Sequence, residues 1–192
     1  MWLTSRLAVA RRSAELLDRR RHLLMEERIR RAQVAAETEE AWTAACLGAE
    51  EWVLRARTSG GEEQLQMAAA LVSTQASVQL RWATVMGVLC AEELGCVLSE
   101  PGAVGALGST AAFDEAAIAV GDAVAAGVRH AVARQALDAV VRDLAATARR
   151  LRVIEHRWIP QLEQTLAGLE VHLDELERDD HVRLRWVKHR IA

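Results

Sequence analysis

The sequence predicts a mainly α-helical protein: a long antiparallel two-helix coiled coil formed by the N- and C-terminal helices, with a small central insertion of a short helix and a β-hairpin. Three observations predict it. Apolar or small residues near the start step by four and three, leucines near the end do the same, and between them the period falls to two. The expected divisions are 1–58 for the first coiled-coil helix, 59–112 for the insertion and 113–192 for the second coiled-coil helix.

The first arm carries Leu3, Leu7, Ala10, Ala14, Leu17 and, after Arg21, Leu24, the alternation of a heptad seam. Trp42, Ala45, Ala49 and Trp52 continue it in a shifted register. From Leu3 to Ala56 there is no proline and a single glycine, Gly48, so nothing interrupts the helix. A helix of about 50 residues is about 75 Å long, which requires a partner helix alongside. The stretch "TSGG" at Thr58–Gly61 predicts a break, and "EEQLQMAAALV" after it predicts a short helical patch.

In "SVQLRWATVMGV" Val78, Leu80 and Trp82 alternate with Gln79 and Arg81, the pattern of a half-buried strand. With Gly87 and Gly95 as turn points, this predicts a small hairpin over Ser77–Leu98. The Gly, Pro and Ser content of "SEPGAVGALGST" predicts a flexible loop.

The second arm starts at Phe113. Leu162, Leu166, Leu169, Leu173 and Leu176 step by four and three, and Leu184, Val187 and Ile191 resume the seam after Asp180. The four-four steps at Trp158–Leu166 and Leu176–Leu184 are stutters, which locally unwind a supercoil. Pro160 lies inside this helix, where a proline costs about 3 kcal/mol through a lost hydrogen bond and a clash. A partner helix packed across Trp158–Leu162 is expected to hold the helix through the kink.

Charge gives a register. If the arms fold back end to end, Arg19, Arg20 and Arg21 face Glu170, Asp174, Glu175 and Glu177. Glu37, Glu39 and Glu40 then face Arg149, Arg150 and Arg152, and Glu50 and Glu51 approach Arg142 and Arg134. Alternating blocks of this kind select one direction and register. At the open end Arg6, Arg11 and Arg12 meet Arg183, Arg185, Lys188 and Arg190, predicting a positive tip with an acidic partner.

Composition excludes most chemistry. The chain has 192 residues, is 51% hydrophobic and 27% charged, and carries a net charge of −3, which bounds one or two domains with enough apolar mass for a core. The start, "MWLTSRLAVARRSAELLDRRR", has arginines where a secretory signal has its apolar core. No window is expected to reach the ~20 apolar residues of a membrane span. Cys46, Cys90 and Cys96 are odd in number and lack a CxxC pair, so reduced thiols are expected. None of the six histidines follows a glutamate by three positions, as a di-iron bundle needs, and no zinc spacing appears, so they are expected to face solvent from the helices. The stretch "GALGST" at Gly105–Thr110 lacks the lysine of a phosphate loop. Arginines alternate with acids and no aromatic-interleaved basic patch is present, which argues against nucleic acid. No catalytic, cofactor-binding or metal site is expected. The residues alone leave a free-standing coiled-coil scaffold or adaptor open.

Three stretches carry a family resemblance and together span most of the chain. "RLAVARRSAELLDRRRHLL" (Arg6–Leu24) is similar to the opening pattern of the D subunit of V-type and A/V-type ATP synthases and ATPases, with Ser13 where that family usually has glycine. "VQLRWATVMGV" (Val78–Val88) resembles its strand ending in Val-Met-Gly-Val. "ARRLRVIEHRWIPQLEQTLAGLEVHLDELERDDHVRLRWVK" resembles its most specific segment, keeping Ile159-Pro160 but with Arg152 and Val153 in place of asparagine and alanine. The resemblance implies a non-catalytic, cofactor-free rotor subunit of the central stalk, which transmits torque between the catalytic ring and the membrane rotor. It implies as partners the catalytic and regulatory A and B subunits of the ring, the F subunit of the stalk and the funnel-shaped C/d subunit of the rotor. It implies a cytoplasmic location, peripheral to the membrane without inserting into it.

Overall fold

A computed structural model describes residues 2–71, 76–97 and 111–191. Helix α1 runs from Trp2 to Leu71, strands β1 and β2 span Ser77–Val85 and Val88–Val97, and helix α2 spans Ala111–Val153. A single π turn, Ile154–Trp158, joins α2 to helix α3, Ile159–Ile191. The predicted class is observed: two long helical arms and a small antiparallel sheet between them in sequence. The chain forms two compact units, one of Met1–Leu23 with Leu144–Ala192 and one of Leu24–Asp143. The loop expected at "SEPGAVGALGST" lies outside the described residues.

The break expected at "TSGG" is a single residue. Gly61 has φ 80 and ψ 163, while the residues on both sides are helical, so Glu62–Leu71 of the expected patch is the limb of α1 beyond a kink. That backbone region is open essentially to glycine alone.

Within each unit the arms run antiparallel. In the first, Arg11 donates to Glu163 at 2.7 Å. In the second, Trp42 stacks on His130 with ring centroids 5.5 Å apart, and Ala56 packs on Phe113 and Ala116. The seam of α1 does not shift after Leu24. Ala35, Ala49 and Ala56 are buried, and Glu27, half-buried Arg31 and Thr38 fill the positions between Leu24 and Trp42 where apolar residues are missing. In the same unit α2 presents Ala116, Ala123, Ala126, Ala136 and Val140, all buried. Alanine on both sides lets the helix axes approach closely.

The register differs from the end-to-end expectation. Thr38 and Trp42 meet His130, about twenty positions before Arg149–Arg152, and Arg11 meets Glu163 instead of the basic residues after 180. Exposed ion pairs contribute only about 0–1 kcal/mol each, whereas each buried apolar side chain contributes about 1.5–3 kcal/mol, so the seam sets the register. Three of the charges used in that expectation pair instead one turn away on their own helix: Arg21 with Asp18 at 2.8 Å, Glu51 with Arg55, and Arg183 with Asp180 at 3.7 Å.

Pro160 is accommodated by its own helix. The Ile159 N–H reaches back five residues to the Ile154 carbonyl, opening one wide turn just ahead of the proline. Ile159 is helical at φ −61, ψ −53, a conformation the following pyrrolidine ring opposes in a regular α-turn. The wide turn inserts one residue and relieves that crowding. It also rotates the seam, which passes from Leu151 and Ile154 to Ile159 and Leu162. Trp158, expected to be shielded, is consequently turned outward and is 58% exposed.

The hairpin turns at Met86–Gly87, both with positive φ (52 and 80), as a two-residue mirror-image turn requires. Gly95 is not a turn: it lies in β2 opposite Gln79, beside a register shift between Gln79 and Leu80. The burial of β1 also differs from the alternation expected. Val78, Leu80 and Trp82 face solvent, and the buried residues are Val88, Cys90 and Ala91 of β2, with Ala83 and Val85 half-buried opposite. Arg81 and Glu92 form a cross-strand ion pair at 2.6 Å. The Ala91 N–H donates to Gln135 Oε1 at 3.3 Å and ties the sheet to α2.

Candidate functional site

Among the described residues, three exposed surfaces carry groups that could act on a partner. The first is the end of α3. Arg11 lies opposite Glu163, so α1 ends at Trp2 opposite about position 172, counting equal rise along both helices. Leu169, Leu173, Leu176, Leu184 and Val187, the predicted seam, are all exposed. The positive tip is therefore not formed from both arms: Arg11 is paired with Glu163, and Arg183 and Arg185 lie further along α3.

The second surface is the outer face of the hairpin, where Val78, Leu80, Trp82 and Leu89 are exposed together. The third is a groove of about 560 Å³ between the start of α1 and the π turn, lined by Arg6, Val9, Ala10, Ile154, Trp158 and Leu162. Next to it Trp2, Val9, Leu16 and Leu23, spaced by sevens, form an exposed stripe along α1, and the Arg6 guanidinium lies over the Trp2 ring at 4.6 Å.

Among the described residues no three His, Cys, Asp or Glu side chains are grouped to hold a metal ion. The Glu27 carboxylate, nearly buried, is clamped by Arg30 and Arg31 and lies near the Cys90 thiol. Burial pushes the Cys90 thiol up; Arg31 opposes the rise, and Glu27 and Glu92 add to it.

The family profile for the D subunit of ATP synthase matches residues 2–189. The chain belongs to the ATP synthase D-subunit family. The A-type ATP synthase D subunit of Methanopyrus kandleri is 29% identical over 190 residues, covering 97% of this chain and 81% of that protein. The Thermococcus gammatolerans protein of the same name is 33% identical over 143 residues, 72% of this chain and 66% of its own. The protein of that name in Haloquadratum walsbyi is 25% identical over 194 residues, 99% of this chain and 83% of its own.

Two features of this family member went beyond the sequence expectation. His130 does not face solvent: it is half-buried, stacked on Trp42, with its Nδ1 3.4 Å from the Thr38 hydroxyl. Gly127 gives that indole room, since a Cβ there would stand 3.0 Å from Trp42 Nε1. The available signal was the seven-residue spacing of Ala116, Ala123 and His130. One stretch within the helical arm Ala111–Val187 also reaches a mean hydropathy of 1.3 over 18 residues, long and apolar enough by composition to cross a membrane, contrary to expectation. Alanine and valine raise that value, and several of those alanines form the seam with α1.

The three free cysteines differ in environment, Cys90 buried and Cys46 and Cys96 partly exposed. A raised thiol holds less thiolate at any pH below its pKa. With maleimide at about pH 8, Cys46 and Cys96 are expected to label first and Cys90 last, read by mass spectrometry of timed digests. Equal rates would mean that the hairpin opens faster than the reagent reacts.

Proposed function

We propose that this chain is the rotor subunit of the central stalk in a V/A-type ATP synthase or ATPase, passing torque between the catalytic ring and an ion-translocating membrane rotor. Membership of the D-subunit family carries the reading, and the antiparallel pairing of the arms supports it. A single helix twists easily. Two helices interlocked along an alanine seam resist twist, because relative rotation must break close packing.

In this reading the chain performs no nucleotide chemistry. The exposed end of α3 enters the ring of catalytic and regulatory A and B subunits, and other surfaces receive the F subunit of the stalk and the funnel-shaped C/d subunit. The whole lies on the cytoplasmic side, peripheral to the membrane and without inserting into it. The basic residues Arg183 and Arg185 favour acidic ring surfaces and so can weight some rotary positions over others.

The test is reconstitution with the A, B and F subunits of the same organism. The chain is expected to be retained in the complex, and a disulfide engineered between the end of α3 and the ring is expected to stop ATP turnover until reductant is added. Turnover that continues with the disulfide formed, or a ring that never retains the chain, would overturn the reading.

A further inference from the structure

The end of α3 carries a pattern that the chain itself leaves unused. Leu173 and Leu184 are eleven residues apart, as are Leu176 and Val187 and also Leu169 and Asp180. An eleven-residue repeat has 3.67 residues per turn, so these positions share one face of a nearly straight helix. Leu173, Leu176, Leu184 and Val187 are all exposed, about half or more of each side chain open to solvent.

The face is symmetric about Asp180. Leu173 and Leu176 precede it by seven and four positions, and Leu184 and Val187 follow it by four and seven. The charges beside the face are antisymmetric about the same point. Glu170, Asp174, Glu175, Glu177 and Asp179 come before Asp180, with Arg178 the one charge of opposite sign among them, and Arg183, Arg185, Lys188 and Arg190 come after it. The acidic members and the first two arginines are exposed.

We infer that the free chain self-associates through this segment, as an antiparallel coil of two copies related by a twofold axis at Asp180. In that arrangement Leu173 of one copy packs beside Val187 of the other, and Leu176 beside Leu184. An antiparallel twofold brings equivalent flanks together, so the acidic half of each copy lies along the basic half of its mate. On one flank Glu175 and Asp179 approach the mate's Arg183 and Arg190; on the other Glu170, Asp174 and Glu177 approach its Arg185. A parallel pair instead sets acid on acid and base on base. Asp180, the polar residue at the centre, meets its own copy, and its ion pair with Arg183 at 3.7 Å offsets the two carboxylates. A polar residue at one seam position fixes register.

The inference does not rest on the rotor reading. It describes the chain alone, and the dimer covers the same leucine face that the rotor reading offers to the ring.

Sedimentation equilibrium of the isolated full chain tests it, at low salt and from about 1 to about 300 μM, the micromolar regime open to one short coil. Monomer is expected to give way to dimer across that range. Reversing the acidic side (Glu175→Arg with Asp179→Arg) is expected to weaken the dimer about tenfold or more, and so is reversing the basic side (Arg183→Glu with Arg190→Glu). The quadruple variant, with both sides reversed, is expected to recover dimerisation, because an antiparallel pair of swapped chains is complementary again. Helix content by circular dichroism checks that each variant stays folded. A chain that is monomeric throughout, a dimer indifferent to the single-side reversals, or a quadruple variant no better than the doubles would each overturn the proposal.

Discussion

Replacing Gly60 by alanine is expected to lower the stability of the unit spanning Leu24–Asp143 by about 2–3 kcal/mol, read from the urea midpoint at constant slope. A Cβ at Gly60 would stand 2.2 Å from Phe113 Cε2 and 2.5 Å from Cζ, distances at which the ring must leave. Phe113 is buried and centres a cluster with Ala56, Ala116, Trp52 and Leu65, so moving it opens a void as well as relieving a clash. Two neighbouring glycines separate the causes. Gly61→Ala meets no atom within 4 Å but must hold φ +80, and is expected to cost about 1–3 kcal/mol through backbone strain alone. Gly48→Ala lies in a helix interior with open space and is expected to be neutral or to stabilise by up to about 1 kcal/mol. If Gly60→Ala melts like the parent, Phe113 does not pack against α1 at that point.

The second large effect separates two leucines that look alike in sequence. Leu24→Ala is expected to cost about 3 kcal/mol, because its side chain is 0% exposed and truncation leaves a cavity. Leu173→Ala, at 50% exposure, is expected to change the stability of the dilute chain by less than about 0.5 kcal/mol. Half-buried Leu162 falls between them, at about 1 kcal/mol. Equal costs at Leu24 and Leu173 would mean that α1 reaches past position 172 and that the register is wrong.

The seam was legible on α1 because its apolar and small residues keep strict heptad spacing from Leu3 to Leu24, and the hairpin was legible because the period changes at Val78 and a glycine follows Met86. The seam of α2 was harder to see. Alanines fill much of it and alanines also occupy its outer face, so hydropathy alone does not separate the sides. Counting a regular helix places Trp158 in the seam, and the π turn before Pro160 adds the one residue that puts Ile159 there instead. The face of β1 was not legible, because Val78, Leu80 and Trp82 alternate correctly for a buried strand, yet β2 supplies the buried residues of this sheet.

By itself the sequence determined the elements: two helical arms, their antiparallel sense, an interruption at the glycine pair, which the structure makes a kink, and a turn in the hairpin. These depend on local periodicity and on backbone conformations few residues tolerate, and both are written residue by residue. Only the tertiary structure decided the register. Charge blocks along the arms allow several alignments of nearly equal energy, since exposed pairs are weak and find partners within their own helix. Close packing of Gly60 on Phe113 and of Gly127 on Trp42 admits one. Within that unit the alignment covers Leu24, because steric fit between distant segments falls off within an ångström while charge attraction does not; in the other unit Leu173, Leu176, Leu184 and Val187 face outward.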